Sequence, residues 1–170
     1  MNGVASAAMR QTDDYRVNWG IELPRLQQIA EEFGKNHDLA QALWKESVRE
    51  CKILATLIQP VDPFDEDLAD IWMESIHTAE IAQIASLHLF QYLPYATDLA
   101  FGWIASDDEM RQLCGFCTIY HIVRKHELQE RSVDELYDQA RSVVDSPYIQ
   151  VKRLANNLLA LLDDKYGRKQ

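Results

Sequence analysis

The chain has 170 residues, 47% hydrophobic and 26% charged, the composition of one globular domain that buries a core without disulfide or metal staples. Six glycines and five prolines supply few turns for a many-stranded sandwich, and three cysteines do not make a disulfide framework, so an all-α domain in the reducing cytoplasm is expected. A net charge of −10 works against binding a phosphate backbone, because affinity for nucleic acid comes largely from Lys and Arg releasing counterions.

The N-terminal stretch MNGVASAAMRQTDDY has no basic start followed by an apolar run, so it does not read as a secretory signal. Residues 1–16 read as a peripheral segment. No stretch approaches the roughly 20 apolar residues needed to cross a bilayer, which argues against a membrane partner. Helices are then expected near 23–33, 37–46, 47–58, 64–76, 78–92, 94–105, 107–126, 132–145 and 147–164, within one domain spanning 1–170 and ending in a basic tail at 165–170. The spacing of Leu26, Ile29, Ala30 and Phe33 makes one apolar stripe, and Leu154, Leu158, Leu161 and Leu162 make another.

Start signals punctuate these helices. Ser47 with Glu50, Ser106 with Glu109 and Ser132 with Glu135 have the spacing of capping boxes, in which serine and glutamate side chains satisfy orphan N–H groups. Ser146 before Pro147 reads as a fourth start, and Thr78 and Asp62 as two further caps. The short connections call for successive helices packed as antiparallel hairpins. Without a clean repeat period, an irregular bundle and a HEAT-like stack remain alternatives on pattern alone.

Charge is unevenly spread. No Lys or Arg lies between Lys52 and Arg111, whereas Asp62, Asp65, Glu66, Asp67, Asp70 and Glu74 crowd that span. Basic residues gather late and are mixed with acids, as on solvated helix faces.

Asn18-Trp19-Gly20-Ile21-Glu22-Leu23-Pro24 resembles the opening motif of the DNA alkylation repair family, where a turn precedes a helix that begins with proline. His37-Asp38-Leu39-Ala40, Leu43-Trp44, Glu50-Cys51-Lys52, Gly115-Phe116 and Val151-Lys152-Arg153 continue the likeness in the same order. The resemblance implies HEAT-like repeats, stacked helical hairpins forming an α-α superhelix with a concave face. It also implies a glycosylase that releases alkylated purines without a metal or other cofactor. In such an enzyme a carboxylate and aromatic faces stabilise the positive charge on the deoxyribose as the glycosidic bond breaks.

Carried over residue by residue, the family's functional positions are degenerate. A tryptophan-acid pair is replaced by Ala79-Glu80, leaving Glu80 as a surviving acid, with Glu74 the alternative from a neighbouring position. The key aspartate falls at Gln83, the cleft arginine at Leu113, and the late tryptophan at Asn157, three residues before Ala160. Arg111, Lys152 and Arg153 are the candidates for any DNA contact. The resulting expectation is a binding or scaffold module without catalytic residues that takes a protein partner on its concave surface. The alternative is a glycosylase, a hydrolase excising alkylated purines from duplex DNA.

Cys114-Gly115-Phe116-Cys117 has the spacing of a redox or metal pair, and His121 shares its helix face. It lies two turns inside a helix, however, among Leu113, Ile119, Tyr120 and Val123, which reads as small buried hydrophobes. No metal is expected from one such pair. His77, His88 and His126 read as isolated side chains, not acid–base catalysts. Trp19, Trp44, Trp72 and Trp103 read as core, and Phe90, Tyr92 and Tyr95 as the filling of a helix corner.

Overall fold

Pro24 stands in the first turn of the first described helix, where its missing N–H has no intrahelical partner to lose. Ahead of it, Asn18 Oδ1 accepts from the Gly20 N–H at 2.8 Å, turning the chain into that helix. The computed structural model describes residues 17–167. The peripheral segment expected at 1–16 and the last three residues of the chain lie outside the described residues.

Among the described residues nine α-helices follow one another: α1 (Leu23–Phe33), α2 (His37–Trp44), α3 (Arg49–Ile58), α4 (Glu66–Glu74), α5 (Ala79–His88), α6 (Ala96–Ile104), α7 (Glu109–Lys125), α8 (Glu130–Ser142) and α9 (Ile149–Tyr166). One 3-10 turn, Phe90–Tyr92, follows α5. Every expected helix is present, each within a few residues of its expected bounds.

The starts are made by other groups than those expected. Thr78 does cap α5, its Oγ1 accepting from the Ile81 N–H. At α4 the cap is Asp65, not Asp62, and at α7 it is Asp108, two residues after Ser106. Ser106 instead accepts from the Asp108 N–H, shaping the turn before the helix. Ser132 lies inside α8, which begins at Glu130, and Ser146 accepts from the Tyr148 N–H ahead of α9. The Ser47 box does not form, because Val48 is pulled into an isolated parallel bridge with Val17. Asn36, absent from the expected caps, closes the start of α2 by accepting from the Leu39 N–H.

The chain divides between Leu93 and Pro94 into two compact units. In the first, α1 and α2 pack on α3, and α3 packs on α5. Its core is aromatic. Trp72 stacks on Trp44 with ring centroids 4.2 Å apart and planes 4° from parallel, and Phe64 meets Trp72 edge-on at 4.9 Å. Phe33 and Trp19 depart from expectation: both are exposed, Phe33 at the last turn of α1 and Trp19 before it. Tyr92 is also exposed, so of the expected corner aromatics only Phe90 is fully buried.

In the second unit α6 packs on α7, and α7 and α8 pack on α9. Helix α7 is buried over Gln112–Ile119, all round its circumference, as the central helix of a unit must be. Gly115 lets α6 approach: a Cβ there would stand 2.9 Å from both Ala100 O and Ile104 N, and 2.8 Å from Ile104 Cγ1. Two of those atoms are backbone and cannot rotate away. Gly115→Ala is therefore expected to destabilise by about 1–3 kcal/mol, read as a lowered urea midpoint. Lys165 belongs to α9, not to a basic tail, and ties its end to α7 by donating to Val123 O and His126 O, each at 2.6 Å.

Candidate functional site

Arg49 opens α3 and is buried with only 2% of its side chain exposed. Its Nε donates to Glu80 Oε1 at 2.6 Å and its Nη2 to Glu80 Oε2 at 2.9 Å, a two-pronged clamp on that carboxylate. Nη1 donates to Ile21 O at 2.8 Å and to Glu50 Oε2 at 3.0 Å. The other oxygen of Glu50 accepts from the Trp19 N–H at 2.7 Å. One guanidinium thus joins the segment before α1, the start of α3 and the start of α5. Burial works to lower the Arg49 pKa, but the hydrogen bonds and charges of Glu80 and then Glu50 outweigh it, so its charge is held more firmly than usual.

Both oxygens of Glu80 are thus engaged by Arg49, while the side chain keeps 36% exposure. Ala79 precedes it at the first position of α5, partly buried, and Gln83 is exposed one turn on. Leu113 is fully buried inside α7, and Asn157 is exposed on α9. The first unit therefore holds Ala79, Glu80 and Gln83, and the second holds Leu113 and Asn157.

Among the DNA-contact candidates, Lys152 and Arg153 are exposed side by side in the first turns of α9, preceded by the exposed Tyr148 and Ile149. Arg111 is partly buried, and its backbone N–H is spent on the Asp108 cap. The first unit's sequence has fifteen acidic and seven basic residues, and the second has twelve and ten. The repulsive charge therefore sits mainly in the first unit.

A second polar cluster lies near Trp44. Lys52 donates to Trp44 O at 2.7 Å and lies 4.4 Å from the centre of the Trp44 ring. Burial lowers its pKa, and the ring face and carbonyl take the place of an acidic partner. Beside it, Trp72 Nε1 donates to Gln41 Oε1, Gln41 Nε2 to Gln59 Oε1, and Gln59 Nε2 bonds His37 Nδ1 at 2.8 Å.

Cys114 and Cys117 are buried and form no disulfide. Burial pushes the Cys117 thiol up to about 12, far from the depressed value a redox nucleophile needs. Iodoacetamide at neutral pH is expected to modify both only after unfolding, which peptide mass spectrometry resolves. Labelling of either residue in the native protein would contradict the buried reading. Among the described residues no three His, Cys, Asp or Glu side chains converge as a metal site would require.

The family model described as DNA alkylation repair enzyme matches residues 4–162. The chain belongs to the DNA alkylation repair enzyme family. A similar solved structure is described as one of "a new family of proteins related to the HEAT-like repeat DNA glycosylases with affinity for branched DNA structures". It superposes with a TM-score of 0.86 at 17% identity, over 96% of this chain and 71% of that one. At that identity the likeness shows the fold, which is the all-α HEAT-like fold that the ordered motifs imply. No curated protein matches the chain. No helix among the described residues is long and apolar enough to cross a membrane.

Arg49 and Glu50 are the members of this cluster that the sequence alone did not bring together with Glu80. A signal was present: Arg49 and Lys52 are the last cations before the long acidic span that contains Glu80.

Proposed function

We propose that this member of the DNA alkylation repair family is a binding module without base-excision chemistry. The observation that supports the reading is the clamp of Arg49 on Glu80, which occupies the acid left at the family's degenerate stretch. A carboxylate held by a buried guanidinium has much of its charge neutralised, so it offers little to a developing oxocarbenium ion. Ala79, Gln83, Leu113 and Asn157 supply neither a second acid nor an aromatic face in its place.

The partner in this reading is a protein with a basic segment. Exposed Asp67, Asp70 and Glu74 surround exposed Ile71 on α4, an acidic face with an apolar centre that suits such a segment. A second reading, binding of branched DNA, draws on the words used of the similar structure and on the exposed Lys152–Arg153 pair. Two phosphate contacts give a shallow salt dependence, with a slope near −1.8 in log–log form, roughly 0.9 per contact.

The test is incubation of the full chain and its Glu80→Gln variant with duplex containing 7-methylguanine. Base release by both is expected to equal that of buffer alone. Release by wild type that Glu80→Gln abolishes would overturn the proposal in favour of a glycosylase. In parallel, anisotropy with a four-way junction separates the two partner classes. Binding weakened by Lys152→Glu and Arg153→Glu together favours DNA, and no binding leaves the protein partner.

A further inference from the structure

A cleft of about 440 Å³ opens in the first unit among residues of α1, α3 and α5, apart from Arg49 and Glu80. Its volume falls in the range of small-molecule sites, roughly 300–1,000 Å³. Ala30, Gly34 and Leu57 line it with apolar atoms, and Gln27, Glu31, Lys35 and His88 bring polar ones.

Lys35 and Glu31 carry the charges of the cleft. Lys35 is fixed: its Nζ donates to Leu57 O at 2.9 Å, while the neighbouring Gly34 N–H donates to Ala30 O and the Asn36 N–H to Ile58 O. An ammonium has three donors, so further donors remain. Gly34, at φ 70°, makes the turn that brings Lys35 to the cleft, and the left-handed backbone favours glycine there.

His88 Nε2 is buried and has no hydrogen-bond partner, an unusual state for a buried polar atom. Burial and then the Lys35 charge lower its pKa, so the ring adds no positive charge beside Lys35 at neutral pH. Glu31 lines the same cleft, and among the described residues its carboxylate makes neither a hydrogen bond nor an ion pair, with Lys35 or with any other group.

Two opposite charges that share a cleft and do not pair with each other match a ligand that carries both. A simple anion would meet Glu31, a simple cation would meet Lys35, and an apolar molecule would desolvate both without compensation. We propose that this cleft binds a small zwitterion of the α-amino-acid class, its carboxylate on the exposed Lys35 and its ammonium on the exposed Glu31. The apolar remainder of the lining faces the side chain. This site stands independently of the binding role proposed above.

The experiment is a titration of the ¹⁵N-labelled full chain with L-leucine, N-acetyl-L-leucine and L-leucinamide, the second lacking the ammonium and the third the carboxylate. L-leucine is expected to give saturable shifts at the Gln27, Glu31, Gly34 and Leu57 amides and at the His88 ring nitrogens. Each blocked compound is expected to bind about five-fold or more weakly, the loss of one charge pair at a partly exposed site. Glu31→Gln should close the gap between L-leucine and its N-acetyl form, and Lys35→Met the gap between L-leucine and its amide, with circular dichroism unchanged. Absence of a saturable response to L-leucine overturns the site. So does an equal response to all three compounds, which marks a merely apolar cleft, or equal binding of the N-acetyl form, which marks a carboxylate site.

Discussion

Arg49→Ala is expected to lower the unfolding free energy by about 3–5 kcal/mol, the cost of breaking a buried ion pair from one side. The magnitude follows from what is left behind. Glu50 is as buried as Arg49, with 2% exposure, and without the guanidinium its remaining partner is the Trp19 N–H. Ile21 O loses its donor as well, and Glu80 loses both prongs.

Glu80→Gln is a much smaller change, within about 1 kcal/mol, because the side chain is 36% exposed and water screens what it loses. The two substitutions should be less than additive, since once Arg49 is gone Glu80 has no clamp to lose. Urea unfolding reads all three, with the midpoint moving and the slope constant. An Arg49→Ala midpoint close to wild type would mean that the three joined segments are held by something else.

The contrast between Arg49 and the capping serines shows which parts of this fold were legible. Helix positions follow from local apolar spacing, and α1, α5 and α7 come out within a few residues of expectation because their stripes and termini lie in one short window. Caps are decided by competition between neighbours. Ser106 has the spacing of a capping box, but Asp108 stands closer to the helix and caps it with a stronger acceptor. Ser47 and Glu50 have the same spacing, but tertiary contacts take the pieces apart: Val17 bridges Val48, and Glu50 is drawn to Trp19 and Arg49.

The candidate site was legible only in part for the same reason. Glu80 was visible as a surviving acid in a known order of motifs, but its partner lies 31 residues away on another helix. The same distance problem hid the amino-acid cleft. Glu31, Leu57 and His88 come from three helices, so no local pattern brings them together. Leu113 and Asn157 sit on α7 and α9 in the other unit, a placement that residue types alone do not convey.

The tryptophans supply the second large expected effect and separate a structural role from a base-stacking one. Trp72→Ala should cost about 3–5 kcal/mol, because it empties the space against which Trp44 stacks and Phe64 packs edge-on. It also removes the donor to Gln41 at the head of the chain that runs through Gln59 to His37. Trp72→Phe keeps a ring against Trp44 and should cost roughly half as much. Trp19 has 40% exposure, and what it gives to Glu50 is its backbone N–H, which alanine retains, so Trp19→Ala should stay within about 0.5 kcal/mol. A platform for a nucleobase would show the opposite pattern: an exposed ring whose loss weakens ligand binding and leaves stability alone. Trp19 has the exposure for that role and Trp72 does not. Urea unfolding and four-way-junction anisotropy on the same three variants therefore assign each ring to core or surface. A stable Trp72→Ala protein would remove the aromatic stack from its place at the centre of the first unit.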